Sequence, residues 1–182
     1  MGTERSLAYI CLFAALIAVL GLIPPVTLPL GVPITAQSLG IMLCGTVLGS
    51  WRGALAVLLF LLLVALGLPL LSGGRGGLGV FAGPSVGFLV GFPVAAFVAG
   101  LVVERWRAAV PVAAGAGAFL GGILVLYPMG ASGWAVMADK TLADVGPFLL
   151  GFLPGDLLKV VLCALITGAI ARARPSALLS RA

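Results

Sequence analysis

Residues 6–51, 53–74, 76–103 and 108–138 contain no Asp, Glu, Lys or Arg, and apolar residues dominate all four runs. Each run is long enough for at least one membrane-spanning helix of roughly 20 residues, and the first is long enough for two. With 62% hydrophobic and 8% charged residues, the chain could not cover itself with polar surface in water. The apolar/polar alternation of a membrane strand is missing, which rejects a β-barrel and leaves helices. The 27 Gly and 12 Pro fit this reading, because membrane helices tolerate both where neighbouring helices satisfy the freed backbone groups.

Breaker residues divide the chain into six expected spans, near residues 6–23, 34–50, 53–70, 84–103, 108–128 and 154–172. The expected fold class is an all-α integral membrane protein, one domain over residues 1–182, built as a six-transmembrane-helix bundle. No A-x-A cleavage site closes the first run, so it reads as a retained helix. An even number of spans puts both termini on one side, and the basic residues indicate which. Arg5, Arg52, Arg105, Arg107, Arg172, Arg174 and Arg181 fall on the terminal side, against Arg75 and Lys140 on the other. The positive-inside tendency makes the terminal side cytoplasmic, with Trp51 and Trp106 as interfacial anchors; the expected location is the cell inner (plasma) membrane.

The net charge of +5 is scattered between apolar runs rather than gathered on one face, which argues against nucleic acid as a partner. Cys11, Cys44 and Cys163 lie in different spans without metal-type spacing, and the chain has no His. Disulfide, metal and Cys–His catalytic readings therefore lack support. Small residues four apart, at Ala14/Ala18, Gly45/Gly49, Gly87/Gly91, Ala96/Gly100 and Gly117/Gly121, mark faces on which helices can approach closely in lipid.

Against this background the stretch FLPGDLLKVV stands out, because it sets Asp156 and Lys159 in an apolar segment. Each would cost about 2.5–3.5 kcal/mol at the centre of an isolated membrane helix. Their i, i+3 spacing lets them pair, and Pro154 suits a first helical turn with Asp156 near the positive end of the dipole. A helix-start acid with a neighbouring base is one account. However, Lys159 lies roughly 8 Å below Pro154 along the helix, and an ionisable pair facing the bundle interior marks a ligand or ion path. Four glycines, Gly77 among them, flank Arg75 in an expected outer loop able to approach a ligand closely. Phe88, Phe92 and Tyr127 are candidate pocket walls. Gln37 suits an amide- or urea-like ligand or, equally, a carbonyl of a neighbouring helix. The outer segment ASGWAVMADKTLADVGPF has an amphipathic look and could lie across the pocket mouth.

The segments LPLGVPITAQSLGIMLCGTVLGSWRG, GLPLLSGGRGGLGVFAGPSVGFLVGFPVAA and PFLLGFLPGDLLKVVLCALI, in this order and spacing, resemble the signature blocks of the BioY family. These are the biotin-binding S components of energy-coupling-factor (ECF) vitamin transporters. Where the family more often reads GPTGGY, this chain has GPSVGF, in which Ser85 still offers a donor. The resemblance implies a non-enzymatic subunit with a high-affinity biotin site near the outer face, to which Asp156 and Lys159 contribute. It implies a transmembrane coupling subunit and two ATPase subunits as partners, with Ala14 and Ala18 as the docking face on the first helix. No cofactor is implied: biotin is the transported ligand, and ATP acts only through partner subunits, since the chain has no Walker motif. The competing readings are an S component for another vitamin, an intramembrane enzyme and a small ion channel.

Overall fold

The structure, a computed structural model, describes residues 3–27 and 33–181. Part of the Pro-rich connection IPPVTLPLGVP therefore lies outside the described residues. Helix α1 runs over Thr3–Leu20, and a two-residue antiparallel pairing follows, β1 (Val26–Thr27) with β2 (Pro33–Ile34) in the register Val26 to Ile34. Next come α2 (Gln37–Leu48), α3 (Ser50–Ala65), α4 (Val86–Arg105), α5 (Val110–Phe119), α6 (Leu126–Met137), α7 (Leu142–Leu149) and α8 (Leu153–Ala173). Among the described residues, four rods are long and apolar enough to cross a membrane: α1, α4, the continuous helix Val110–Met137 and α8; α2 and α3 are shorter apolar helices.

Helix α2 is apolar but for Gln37, Ser38 and Thr46, whose side chains bond within the protein, and sits in the middle, packed by α1, α3, α4, α5 and α8. Such a pattern has no polar face to offer water or a headgroup layer, so it is stable only when surrounded. The outside of the bundle is equally telling. Leu55, Leu58 and Leu62 on α3 and Leu158, Val161 and Leu165 on α8 are exposed, apolar surface that belongs against lipid. The protein is a multi-pass membrane protein.

Since burying Leu against Leu gains little in lipid, the seams are made by close backbone approach. A Cβ on Gly45 would strike the backbone oxygen of Ala96, one on Gly121 that of Ala95, and one on Gly87 that of Met129. One on Gly100 would enter the backbone of Gly49 and Ser50. Thus α4 is wedged against α2, α3, α5 and α6 along these positions. Gly49, at φ +90°, separates α2 from α3. The new helix start is then capped across the bundle: Glu104 accepts 2.8 Å hydrogen bonds from both the Ser50 N–H and the Ser50 hydroxyl.

The rod expected to end near residue 128 continues to Met137. The reason lies in Leu120–Val125, which forms a π turn joining α5 to α6. Pro128 lacks an N–H and its ring crowds the carbonyl four residues back, Leu124, inside that turn. Widening there relieves the conflict without ending the helix. The helix then turns at Asp139, with φ +51°. A reciprocal capping box starts α7, in which Asp144 N–H donates to the Thr141 hydroxyl and Thr141 N–H to the Asp144 carboxylate. The Thr141 hydroxyl and backbone bonds hold the exposed Asp144 carboxyl below its usual range.

Candidate functional site

Helix α8 begins with Pro154 in its first turn, which presets the backbone, and the first turn carries Asp156. One turn on, Lys159 bends back to place Nζ 2.8 Å from Asp156 Oδ1. Both side chains face inward: Lys159 Nζ also donates to Ser38 Oγ of α2 at 2.9 Å, and Tyr127 of α6 donates to Asp156 Oδ2 at 2.9 Å. Ser38 Oγ donates in turn to Asp156 Oδ1 (3.3 Å) or to the Thr35 carbonyl (3.4 Å). Three helices thus meet through one carboxylate. The side chains of Lys159 and Asp156 are 13% and 9% exposed, so the pair faces the interior of the bundle rather than lipid. Mutual pairing and the two hydroxyls offset the desolvation of the charges.

This cluster stands on the wall of a half-open cavity with about 580 Å³ of atom-free space counting its open mouth. Apolar walls dominate: Leu71, Phe88, Leu89, Phe92, Leu126 and Phe152. The rings of Phe88 and Phe152 lie 6.1 Å apart. Phe88 fits because Gly130 leaves no Cβ beneath its ring. A few polar groups convergent on an apolar pocket are the usual anatomy of a site that orients an amphipathic small molecule.

Arg75 reaches the same cavity from the glycine loop. Leu71 and Arg75 exchange backbone hydrogen bonds of 3.0 and 3.2 Å across a tight turn, which is possible because Gly73 and Gly74 adopt φ +79° and +70°. Its Nε donates to the Ser72 carbonyl at 3.2 Å, and among the described residues it forms no ion pair. Ser85, just ahead of α4, lines the cavity with a hydroxyl that has no hydrogen-bond partner among the described residues.

Asp156, Lys159, Arg75, Gln37, Ser85, Phe88 and Tyr127 are therefore brought to one cavity, with Phe92 beside them. Gln37 is there in a different capacity: its Nε2 donates to the carbonyls of Ile17 (3.2 Å) and Leu70 (3.0 Å), and its Oε1 accepts from Ser72 N–H (3.0 Å). Only 2% exposed, it clamps α1 and the glycine loop to α2, so of its two expected uses the bond to neighbouring carbonyls is realised. Gly77 is not on the cavity wall; it sits at φ +79° and donates to the Val64 carbonyl, shaping the loop rather than touching the site. In the segment from residue 131, α6 takes the first part and α7 buries Val145 with Trp134, in a cluster that also holds Phe88, Tyr127 and Phe152 of the cavity wall. Ala14 is turned into the chain's own core at 3% exposure, so it offers no outer surface, while Ala18 is half-buried beside the Pro-rich connection. Ser38 is the polar residue that sequence reasoning missed, and Phe152 a wall residue it did not single out. A lone Ser in an apolar run carries no spacing signal, and only the approach of α8 to α2 reveals its part.

A polytopic helical membrane protein with a lateral network of charge around a small-molecule cavity is the general class this geometry defines. The sequence profile of the BioY family matches residues 2–176, and the chain belongs to the BioY family. The biotin transporter BioY of Rhodobacter capsulatus is 55% identical, covering 98% of this chain and 99% of that protein. The biotin transporter BioY of Rhizobium etli is 49% identical over 92% and 94%. A crystal structure of the S-component for biotin from an ECF-type ABC transporter superposes with a TM-score of 0.86, at 28% identity, over 94% of this chain and 95% of that one.

Proposed function

We propose that this protein captures biotin at the outer face of the cell inner membrane and passes it inward, as the substrate-binding S component of an ECF-type transporter. The observation that carries the reading is the Asp156–Lys159 pair on the wall of an apolar cavity, in a chain of this family. Biotin's ureido ring presents two N–H donors and a carbonyl acceptor. Asp156 and Lys159 offer an acceptor and a donor side by side, the complementary pattern. Arg75, a cation without an ion-pair partner among the described residues, suits the valerate carboxylate. The bicyclic ring and its aliphatic tail match the aromatic and leucine walls.

The membrane arrangement proposed with this function has six crossings, with α2 and α3 completing the four long rods, and both termini in the cytoplasm. The arginine distribution supports it. A transmembrane coupling subunit and two ATPases would supply the energy. The chain holds the ligand and performs no chemistry on it, as its family membership implies.

A binding panel on the purified protein tests the substrate. Biotin is expected to be retained in the nanomolar range, with thiamine and riboflavin at least about a hundredfold weaker, a gap of about 2.7 kcal/mol. Tight retention of either of those vitamins in place of biotin would move the protein to another vitamin.

A further inference from the structure

The two ends of the chain frame a second concave feature, far from the ligand cavity in sequence and built from different walls. Helix α1 packs on α2 and α3, and α8 packs on α2 and α5, so that α2 floors an open seam between α1 and α8. Tyr9 and Phe13 form one wall, Ala169 and Ala173 the other, and Val47 the floor, around about 710 Å³ of atom-free space counting the open side. The alanines, four residues apart on one face of α8, leave room for a chain to lie along the helix. In a bilayer such a seam fills with acyl chain, since neither water nor vacuum is a tolerable occupant there.

The terminal end of this seam is basic. Arg174 lines it directly. Arg5 stands over the Tyr9 ring at 5.7 Å and donates to the Ser176 carbonyl at 2.6 Å, bridging α1 to the segment after α8. Arg172, in the last turn of α8, is exposed nearby in the chain. Among the described residues, the acidic groups at this end are Glu4, next to Arg5 in the chain, and Glu104, whose carboxylate is already bound to Ser50.

We infer that the seam between α1 and α8 is a binding site for an anionic phospholipid, its acyl chain along Tyr9, Phe13, Ala169 and Ala173 and its phosphate at Arg174 and Arg5. Apolar depth capped by positive charge is the complement of that molecule, and each arginine near the headgroup contributes about 1 kcal/mol, or about fivefold in affinity. The inference rests on the membrane placement alone and is independent of the biotin reading.

Native mass spectrometry tests it, on the full chain released from bilayer discs containing equal amounts of phosphatidylglycerol and phosphatidylcholine with matched acyl chains. The expected result is preferential retention of one phosphatidylglycerol. Arg174→Gln should cut that preference about fivefold, and Ala169→Trp, which fills the exposed seam, should lower retention of both lipids. Thermal unfolding of each variant in detergent reports that the fold is intact. Equal retention of the two lipids by the wild type, or a preference unchanged in Arg174→Gln, would overturn the inference. So would an Ala169→Trp variant that keeps its phosphatidylglycerol but loses association with a coupling subunit, since the seam would then seat a protein helix.

Discussion

Asn in place of Asp156 is expected to weaken biotin binding by at least about tenfold, about 1.4 kcal/mol, in protein that still runs as a folded species. The substitution keeps the size and shape of the side chain but removes its charge. One side-chain oxygen remains to accept from Tyr127, Ser38 and a ligand N–H, where the carboxylate offers two. It also leaves the Lys159 ammonium without its counter-charge in a cavity mostly walled by carbon, and breaking a buried pair from one side costs about 3–5 kcal/mol in general. Lys159→Met should weaken binding to a similar degree through the loss of the donor. The double variant separates ligand recognition from folding: with both charges gone, nothing buried is left uncompensated, so stability should recover while binding stays lost. Isothermal titration together with thermal unfolding in detergent reads both quantities. Wild-type affinity in both single variants would reduce the pair to an ion pair that merely starts α8.

Gly100→Val is expected to abolish the folded state, giving aggregated or undetectable protein on size exclusion in detergent. A Cβ at this position would occupy the space of the Gly49 and Ser50 backbone, where α4 crosses the α2–α3 corner. That corner cannot yield easily. Gly49 is held at φ +90° with its own missing Cβ facing Glu104, and the Glu104 carboxylate is fixed on Ser50. Overpacking costs of about 1–3 kcal/mol apply where flexible side chains can give way; here backbone meets backbone, and the loss should be larger. Gly146→Ala is the matched control, because a Cβ there meets nothing within 4 Å. Unchanged stability in Gly100→Val would mean that the packing of α4 on α2 and α3 is not the seam described.

The uncharged runs made the helices legible because a bilayer leaves few ways to satisfy a backbone, and a run of that length has one practical conformation. Interruptions inside those helices were harder to read. Pro128 looks like a terminator, yet whether a proline stops a helix or widens it depends on packing from other elements, here Gly121 against the Ala95 backbone. The capping box at Thr141 and Asp144 is a readable pattern of the kind that precedes a helix, overshadowed by the loop-like composition around it. In the site, Asp156 and Lys159 were visible because charge in an apolar run is expensive, and Arg75 because glycines surround it. Ser38 was invisible for the opposite reason: a hydroxyl costs little in a helix and attracts no notice until α8 places Lys159 2.9 Å away. Gln37 shows a further limit, since its sequence position suits a ligand contact and only the geometry shows its amide occupied by three backbone groups.

The measurement closest to the central claim is an experimental structure of the protein saturated with biotin. The account predicts the ureido ring within about 3.2 Å of Asp156 and Lys159, the bicycle against Phe88 and Phe152, and the valerate directed to Arg75. Biotin bound at any other place on the protein, with the Asp156–Lys159 pair untouched beside an empty cavity, would contradict it.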